Sequence, residues 1–544
     1  MTGAQATWAR PWRGVDATPP DWRLLARRGA PTLLAGAFAL VYVLVSPPSL
    51  DLAAHMFRAK LFGAEGLGIW NNRWYAGHHT PGYSLLFPPA AWLLTPQLAA
   101  ALAATATAAL FERLATDQLG EQAWLGALWF GAATATDLYT GRLAFAFGLL
   151  PALGATLALA RGRPWLASLL AVITALSSPV AALFLGLVGA AYALGGLIGH
   201  RDRAALWSGT TVLLAALVPV GALAYAFPEG GSEPFIFAAL WPVLVLGAGA
   251  LLALPREAWT LRVGVLIYTL GCLVSYFVAT PIGSNAVRLA ALVGGPLAAL
   301  LWWRRRTVLL ALVVLPLLYL QWQPPIRDVK NATGDKSHSA AYYHPLEAFL
   351  GRQSGPPFRL EIPFTGFHWE AYEVASRFAI ARGWERQLDI KDNPVFYSGP
   401  LTPARYETWL RTVAVRFVAV SDSPRLDYSA RRETVLIDRG LTYLRPVFGS
   451  AHWRVYAVQR ATPIVTGAAT LTALGPDSLT LSTERPGTAL VRVHFTPYWA
   501  LSGAPGCVAP WGDYTKLTLR RRGPVRLVIR FSLARIAARS PRCS

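Results

Sequence analysis

The chain has 544 residues, of which 54% are hydrophobic and only 15% are charged, and its mean hydropathy is +0.38. This composition excludes an ordinary soluble protein of several domains and predicts a polytopic α-helical protein in a lipid bilayer. The formal net charge of +21 comes from 50 Lys and Arg against 29 Asp and Glu. Many of the Arg residues stand in short turns between apolar runs and no nucleic-acid motif accompanies them. We therefore expect positively charged cytoplasmic turns and no nucleic-acid partner.

The N-terminal part is predicted to lead into the membrane. Residues 1–30 are rich in Pro and Arg and predict a cytoplasmic tail. Residues 31–46 form the first apolar run, which Pro47 and Pro48 end because proline cannot continue a helix. We therefore expect the first spanning helix to bring the chain to the outer face at Asp51.

The stretch 51–89 is polar and aromatic within an otherwise apolar sequence. Its ionisable and aromatic residues include Asp51, His55, Arg58, Lys60, Arg73, His78 and His79, together with Trp70, Trp74 and Tyr75. Such side chains are tolerated at a bilayer surface and are costly in its core. Residues 52–62 carry apolar side chains on one helical face, which predicts a helix lying on the membrane surface. The whole stretch therefore predicts the floor of a site on the outer face.

Apolar runs of about the length of a spanning helix follow at intervals. They cover residues 98–114, 123–136, 143–160, 165–198, 204–227, 235–254, 262–279, 287–303 and 307–322. Ser177-Ser178-Pro179 breaks the run 165–198, which predicts a hairpin of two helices, because a single span would destroy the alternation of Arg-rich and Arg-poor turns. Residues 31–323 thus predict a transmembrane domain of about eleven spans. With the N-terminus cytoplasmic, this number places the C-terminus outside.

The composition becomes mixed and polar after the last apolar run, which predicts an extracytoplasmic part in two regions. Residues 324–465 predict an α/β region. Its candidate elements are helices at 345–352 and 402–412 and a strand at 413–420. Residues 466–544 predict a β-sandwich, since two segments alternate apolar and polar side chains. These segments are 489–496 and 524–531. If this region is exported, Cys507 and Cys543 are able to form one disulfide.

Two acids define a candidate catalytic centre. Asp51 and Asp137 stand at the outer ends of the first and third predicted spans, so their carboxylates are expected to converge on one cavity. One carboxylate could accept the proton of an acceptor hydroxyl, while the other orients the acceptor or holds a divalent cation. The alternatives are that each Asp only caps or solvates a helix end, and that Asp137 forms a structural ion pair with Arg142.

Positive charge on the outer side predicts an anion site. Arg58, Arg142 and Arg288 stand in predicted outer stretches, where Arg is expected to be rare. Guanidinium groups match phosphate oxygens, so these residues predict phosphate binding, whereas the alternative is snorkelling toward lipid headgroups. His55 and His78 are further candidate contacts with a substrate or a metal.

Aromatic side chains accompany these charges. Trp74, with Trp70 and Tyr75, predicts stacking on a sugar ring, and the alternative is that these rings anchor the chain at the membrane interface.

The order of these features resembles the GT-C superfamily of integral-membrane glycosyltransferases. The resemblance rests on Asp51 and His55 in the pattern D-x-x-x-H, the surface helix, the ending GYSLLFPPAAWLL, Asp137 and the outer Arg288, followed by an extracytoplasmic domain. Residues 382–410 also resemble a stretch found in large bacterial membrane proteins of this kind. The chain departs from the family in lacking an Asp-Asp or Asp-Glu pair at Asp51 and a Trp-Trp-Asp motif.

The resemblance implies transfer of a sugar from a polyprenyl-phosphate donor to a hydroxyl of an envelope glycan, glycolipid or protein, at the outer face of the plasma membrane. Asp51 would be the general base or acceptor-orienting carboxylate, Asp137 its partner, and the three outer Arg residues would hold the donor phosphate. His55, His78 and Trp74 are the further substrate contacts, and a divalent metal is left open as a cofactor. The alternative functions are a lipid or glycan transporter or flippase, and a non-catalytic envelope scaffold whose exported domain binds glycan.

Overall fold

The computed structural model describes residues 22–304, 306–536 and 542–543. Most of the predicted cytoplasmic tail 1–30 lies outside these residues, as does Arg305 of the predicted inner turn 304–306. The described chain is mainly helical in its first part and rich in β-strands in its last part. This agrees with the prediction of an apolar helical part followed by a C-terminal part that contains β-strands.

Thirteen α-helices form the first part of the described chain. They are α1 Trp22–Val45, α2 Leu52–Glu65, α3 Phe87–Leu94, α4 Pro96–Leu119, α5 Trp124–Tyr139, α6 Leu143–Ala160, α7 Pro164–Ser177, α8 Pro179–His200, α9 Arg203–Ala226, α10 Phe237–Ala253, α11 Trp259–Phe277, α12 Arg288–Trp302 and α13 Thr307–Ala332. Between α2 and α3, the two short strands β1 (Trp70–Asn71) and β2 (His78–His79) pair in antiparallel fashion.

Eight helical segments of the described residues are long and apolar enough to cross a membrane. One of them, Pro96–Tyr139, contains both α4 and α5, while α7 and α10 are apolar but shorter. Every predicted span coincides with a helix, and α2 occupies the position of the predicted surface helix. The prediction of about eleven membrane crossings stays a prediction.

The helical hairpin predicted over 165–198 is present as α7 and α8. Ser178 separates the two helices, and its side chain accepts a hydrogen bond from the backbone N–H of Ala181. Pro179 occupies the first turn of α8, where its missing N–H removes no helical bond. A serine cap followed by proline thus both ends one helix and starts the next.

Contacts between helix ends show which turns lie at the same end of the bundle. At one end, Arg161 donates to Asp117 at 2.7 Å, and Thr32 donates to Glu112 at 3.3 Å. The Arg-rich turns lie at this end. They include Arg161, Arg163, Arg201, Arg203, Arg256, Arg304 and Arg306. At the other end, the N–H of Glu233 donates to the carbonyl of Thr280 at 3.0 Å. We call this second end, which meets the C-terminal domains, the domain-facing end.

The last helix of the bundle runs directly into an α/β domain. Four helices belong to this domain: α14 Ala340–Gly351, α15 Arg386–Asp392, α16 Pro403–Thr412 and α17 Tyr428–Asp438. Its sheet has the order β4-β3-β5-β7-β6, with the first three strands parallel and the others antiparallel. The strands are β3 Arg359–Glu361, β4 Ala379–Ile380, β5 Val415–Ser421, β6 Leu444–Gly449 and β7 Trp453–Val458.

Two antiparallel sheets form the C-terminal sandwich. Their orders are β12-β15-β10-β9 and β16-β13-β14-β11-β8. The strands are β8 Val465–Gly467, β9 Ala469–Leu474, β10 Ser478–Thr483, β11 Gly487–His494, β12 Trp499–Ser502, β13 Gly506–Trp511, β14 Tyr514–Leu519, β15 Gly523–Ile529 and β16 Arg542–Cys543. Both segments with predicted alternation are strands, β11 and β15, whose alternate apolar residues fill the core. A disulfide joins Cys507 to Cys543 and holds the last strand on the sheet.

The loop 66–80 between α2 and α3 joins the helical bundle to both C-terminal domains. Trp70 lies in the hydrophobic core of the sandwich, and Trp74 lies in the core of the α/β domain. Backbone bonds reinforce this insertion, since the N–H of Ile380 donates to the carbonyl of Arg73 at 2.8 Å. The aromatic residues of this loop are therefore interior residues of the two C-terminal domains.

Candidate functional site

Asp51 lies at the domain-facing end, directly before the first turn of α2. Its backbone occupies the N-cap position, but its side chain accepts no hydrogen bond from the helix. The carboxylate is half-buried and interacts electrostatically with Arg288, Arg142 and His368. The Asp51 side chain therefore does not cap α2, which was the alternative considered from the sequence. Its carboxylate oxygens are available to another partner.

Asp137 lies in the last turn of α5 and is buried. Its Oδ1 is 3.7 Å from Nη1 of Arg142, so the ion pair considered from the sequence is present. Its Oδ2 is buried and has no hydrogen-bond partner among the described residues. An unpaired carboxylate oxygen in such a position is costly unless a bound group completes it.

The turn after α5 packs against the segment that carries Asp51. Gly141 has a φ of +78°, and a Cβ there would lie 2.3 Å from Oγ of Ser49 and 3.2 Å from the backbone N of Asp51. Nε2 of His55 lies 3.1 Å from the carbonyl oxygen of Gly141. Burial, and secondarily the positive charge of Arg58, lower the pKa of His55 to about 3. His55 is thus a neutral donor that holds this turn against the start of α2.

Arg288 begins α12 and completes a cluster of four charges. Its Nη2 donates to Oδ1 of Asn285, and its guanidinium lies 5.5 Å from the ring centre of Phe145. Its buried Nε has no hydrogen-bond partner in the described chain. Arg142 and Arg288 interact electrostatically with both carboxylates. We call Asp51, Asp137, Arg142 and Arg288 the charge cluster.

The protonation of Asp51 suits acid–base chemistry. Burial raises the pKa of this carboxyl to about 6, against the lowering effects of Arg288 and Arg142. A carboxyl with such a pKa is mostly ionised at neutral pH and is still a better proton acceptor than an ordinary surface aspartate. Four predicted site residues, and His55 as their support, are therefore brought together.

Arg58 is held away from the charge cluster by a residue that lies far along the chain. It forms a buried ion pair with Glu385 of the α/β domain, and its guanidinium lies 3.9 Å from the ring centre of Tyr83. Nε1 of Trp384 donates to the carbonyl of Leu50 at 2.8 Å, which places this partly exposed ring beside Asp51. The segment 383–385 thus covers the start of α2.

Trp74 and His78 lie in the protein interior. The ring of Trp74 is fully buried and stacks on Phe57 at 4.4 Å and on His78 at 5.5 Å. Burial lowers the pKa of His78 to about 4, although the charge of Glu229 opposes this. A ring with no accessible face packs in a core, so the geometry supports domain attachment by Trp74 more than sugar stacking.

Several residues beside the charge cluster were missed from the sequence. Glu233, in the loop after α9, interacts electrostatically with Arg386, Arg288 and Asp51. Burial raises its pKa to about 7, and its side chain forms no hydrogen bond or ion pair within the described chain. The only available signal was an acid in a predicted outer turn, since its partners lie on other elements.

His368 belongs to the α/β domain and faces the same region. Its backbone has a φ of +55°, a strained conformation for a residue with a side chain. Nε2 lies 3.6 Å from Oδ2 of Asp427, which Arg386 holds through two hydrogen bonds. Nothing in the local sequence indicates this position, because it depends on how the two domains meet.

The described residues offer few donor groups for a resident metal ion. In the part of the chain that the structure describes, no three His, Cys, Asp or Glu side chains come close enough to hold one ion.

Comparison with known proteins assigns no family, since no protein-family profile matches the chain and no curated protein is significantly similar to it. The function has to be inferred from the site itself.

Proposed function

We propose that the chain is a membrane glycosyltransferase that moves a sugar from a polyprenyl-phosphate donor to an acceptor hydroxyl at the domain-facing end. The single observation that carries the proposal is the charge cluster, in which two acids and two Arg residues converge between an apolar helical bundle and the domain above it. A lipid-linked substrate reaches such a place from the bilayer, while the acceptor reaches it from water.

The orientation proposed for the protein places this end outside the cytoplasm. The Arg-rich turns lie at the opposite end, as the positive-inside rule requires of cytoplasmic turns. The disulfide between Cys507 and Cys543 supports the same orientation, because disulfides persist in oxidising compartments. We therefore place the α/β domain and the sandwich on the outer face of the plasma membrane.

The proposed reaction assigns a task to each member of the charge cluster. The oxygen of the acceptor hydroxyl attacks the anomeric carbon of the donor sugar. The carboxylate of Asp51 accepts the proton of that hydroxyl as the bond forms. The bond between that carbon and the phosphate oxygen breaks, and polyprenyl phosphate leaves with the electron pair. Arg142 and Arg288 stabilise the charge on the departing phosphate, and Asp137 keeps Arg142 in position. No step through a metal ion is proposed.

The direct test is transfer by the purified protein in lipid. Radiolabelled hexoses and pentoses on polyprenyl monophosphate are supplied as a donor panel, and release of the lipid phosphate and labelling of envelope glycans are followed. Asp51→Asn is expected to lower the rate about 10²–10⁴-fold. Asp117→Asn, at the Arg-rich end, is the control and should keep the rate of the natural chain. Full activity of Asp51→Asn would refute the role given to this residue.

A further inference from the structure

A groove crosses the surface of the α/β domain along α17. Three side chains of this helix and that of its C-cap residue, Arg439, face the groove at positions i, i+3, i+4 and i+7, and the turn before α16 forms the opposite wall. The lining residues are Tyr397, Gly399, Pro400, Leu401, Arg432, Val435, Leu436 and Arg439. The volume of the cavity between them is about 660 Å³.

Apolar side chains line part of the groove, although α17 faces water. Val435 is 52% exposed, and Tyr428, one turn before Arg432, is 54% exposed. Exposed apolar and aromatic side chains that lie side by side on a helix are removed from water when a ligand covers them, which favours binding. A pyranose ring presents C–H groups that pack on such side chains while its hydroxyls stay in water.

The groove carries positive charge that no carboxylate neutralises. Arg439 makes no ion pair within the described residues, and Arg432 donates only to the carbonyl of Gly399, at 3.4 Å. The adjacent Arg405 donates to two carbonyl oxygens and likewise has no acidic partner in that part of the chain.

The acids nearest in sequence are used elsewhere. Glu433 is buried, where it faces Arg382, and Asp438 forms an ion pair with Arg454 at 2.9 Å. Among the residues that the structure describes, no acid lines the groove, which therefore attracts anions.

One end of the groove is related to the region of the charge cluster through Tyr428. The ring of Tyr397, which lines the groove, lies 5.9 Å from the ring of Tyr428, and the guanidinium of Arg386 lies 4.6 Å from that second ring. Glu233 interacts electrostatically with Tyr428 and also with Asp51. The Tyr397 end of the groove is therefore the end nearer to the charge cluster.

We infer that the groove along α17 binds the acceptor as an extended oligosaccharide that carries carboxylate or phosphate groups. Arg432 on α17 and Arg439 at its C-cap, two helical turns apart, contact successive anionic groups, because guanidinium forks match both carboxylate and phosphate oxygens. Tyr397 and Val435 pack against the sugar rings between those groups. This inference rests on the proposed transfer reaction for the identity of the ligand as acceptor, while the groove itself binds anionic glycan independently of catalysis.

The test measures binding without transfer, on the purified full-length protein in detergent. Fluorescence anisotropy is recorded with a labelled oligogalacturonate, which supplies carboxylates, a labelled poly(glycerol phosphate) oligomer, which supplies phosphates, and labelled maltohexaose, which is neutral. We expect an anionic probe to bind with an affinity that falls as salt rises, and the neutral probe to bind at least about tenfold more weakly. The preferred anionic probe identifies the group.

Matched variants assign the binding to the groove. Arg432→Gln with Arg439→Gln should weaken the anionic probe about tenfold or more. The control, Arg521→Gln with Arg522→Gln on the sandwich, removes the same charge and should leave the affinity unchanged. Failure of both anionic probes to bind, equal loss in the two double variants, or equal binding of the neutral probe would each overturn the inference.

The Asp51→Asn variant separates this inference from the proposed reaction. It should bind the anionic probe like the natural chain while it loses transfer. If it keeps transfer, the proposed role of Asp51 fails and the groove is unaffected. If the groove variants bind normally, the inference fails and the reaction is unaffected.

Discussion

The ion pair between Arg58 and Glu385 joins the helical bundle to the α/β domain, and Glu385→Ala tests how much it contributes. The side chains are 6% and 8% exposed, so both charges are removed from water. Nη2 of Arg58 donates to Glu385, and its buried Nε and Nη1 have no hydrogen-bond partner in the described chain. The substitution therefore leaves a buried guanidinium without a counter-charge beside the rings of Tyr83 and Trp384.

We expect the substitution to destabilise the folded protein by about 3–5 kcal/mol, the cost of removing one partner of a buried pair. For domains of this size, each kcal/mol lowers Tm by about 2–4 °C, so the expected shift is about 6–20 °C. Tm is measured from tryptophan fluorescence of the purified protein in detergent. Glu407→Ala is the control, because the pair of Glu407 with Arg411 is partly exposed and contributes about 0.5 kcal/mol.

A second variant separates the loss of charge compensation from the loss of packing. Arg58→Met combined with Glu385→Leu removes both charges and keeps apolar volume beside the aromatic rings. We expect it to recover most of the Tm lost in Glu385→Ala, since apolar replacements of buried pairs are often neutral. A change of less than about 1 °C in Glu385→Ala, or a double variant less stable than the single one, would refute the reasoning.

The remaining predictions concern the charge cluster and the sandwich. Because the pKa of Asp51 is about 6 and its carboxylate is the reactive form, the transfer rate should rise with pH through about 6 and level off above it; a flat profile between pH 5 and 7 would contradict this. Gly141→Ala should lower the transfer rate about tenfold or more, because the added Cβ displaces Asp51. Gly162→Ala is the control, since Gly162 has a similar φ of +68° but open space around it. This control should keep the transfer rate of the natural chain and lower the free energy of unfolding by about 1–2 kcal/mol. Cys507→Ser should cost the sandwich about 2–4 kcal/mol, seen in non-reducing urea unfolding, and reductant should then have no further effect.

The spacing of apolar residues, together with proline and capping residues at the ends of apolar runs, predicted most of the helices and two of the sandwich strands. The break at Ser178 and Pro179 is one case, because its capping and proline effects act within four residues. The end of α13 is a counterexample, since the helix continues to Ala332 through Pro324 and Pro325, past the change in composition. A proline pair usually ends a helix, but here the helix continues past the pair, and Asp328 and Ala332 in the continued part are buried.

The charge cluster was predictable in part, and its surroundings were not. Asp51, Asp137 and Arg142 stand next to predicted helix ends, so their proximity follows from counting spans. The pairing of Arg58 with Glu385 joins positions 327 residues apart, and no local pattern indicates it. The aromatic residues of the loop 66–80 could not be placed from the sequence for the same reason. The local sequence around a tryptophan does not show whether its ring lies in a domain core or at the membrane interface.

The loop 66–80 also has a consequence for biosynthesis. Trp74 is made early, together with Ala54 and Phe57 of its core, yet the other residues of that core run from Tyr342 to Val455. At about 5–20 residues per second, the ribosome needs roughly 19–76 s to complete this set after Trp74. During that interval the first loop presents tryptophan rings whose folded core is incomplete. Assembly of this protein is thus ordered by translation, with an early segment waiting for a late domain.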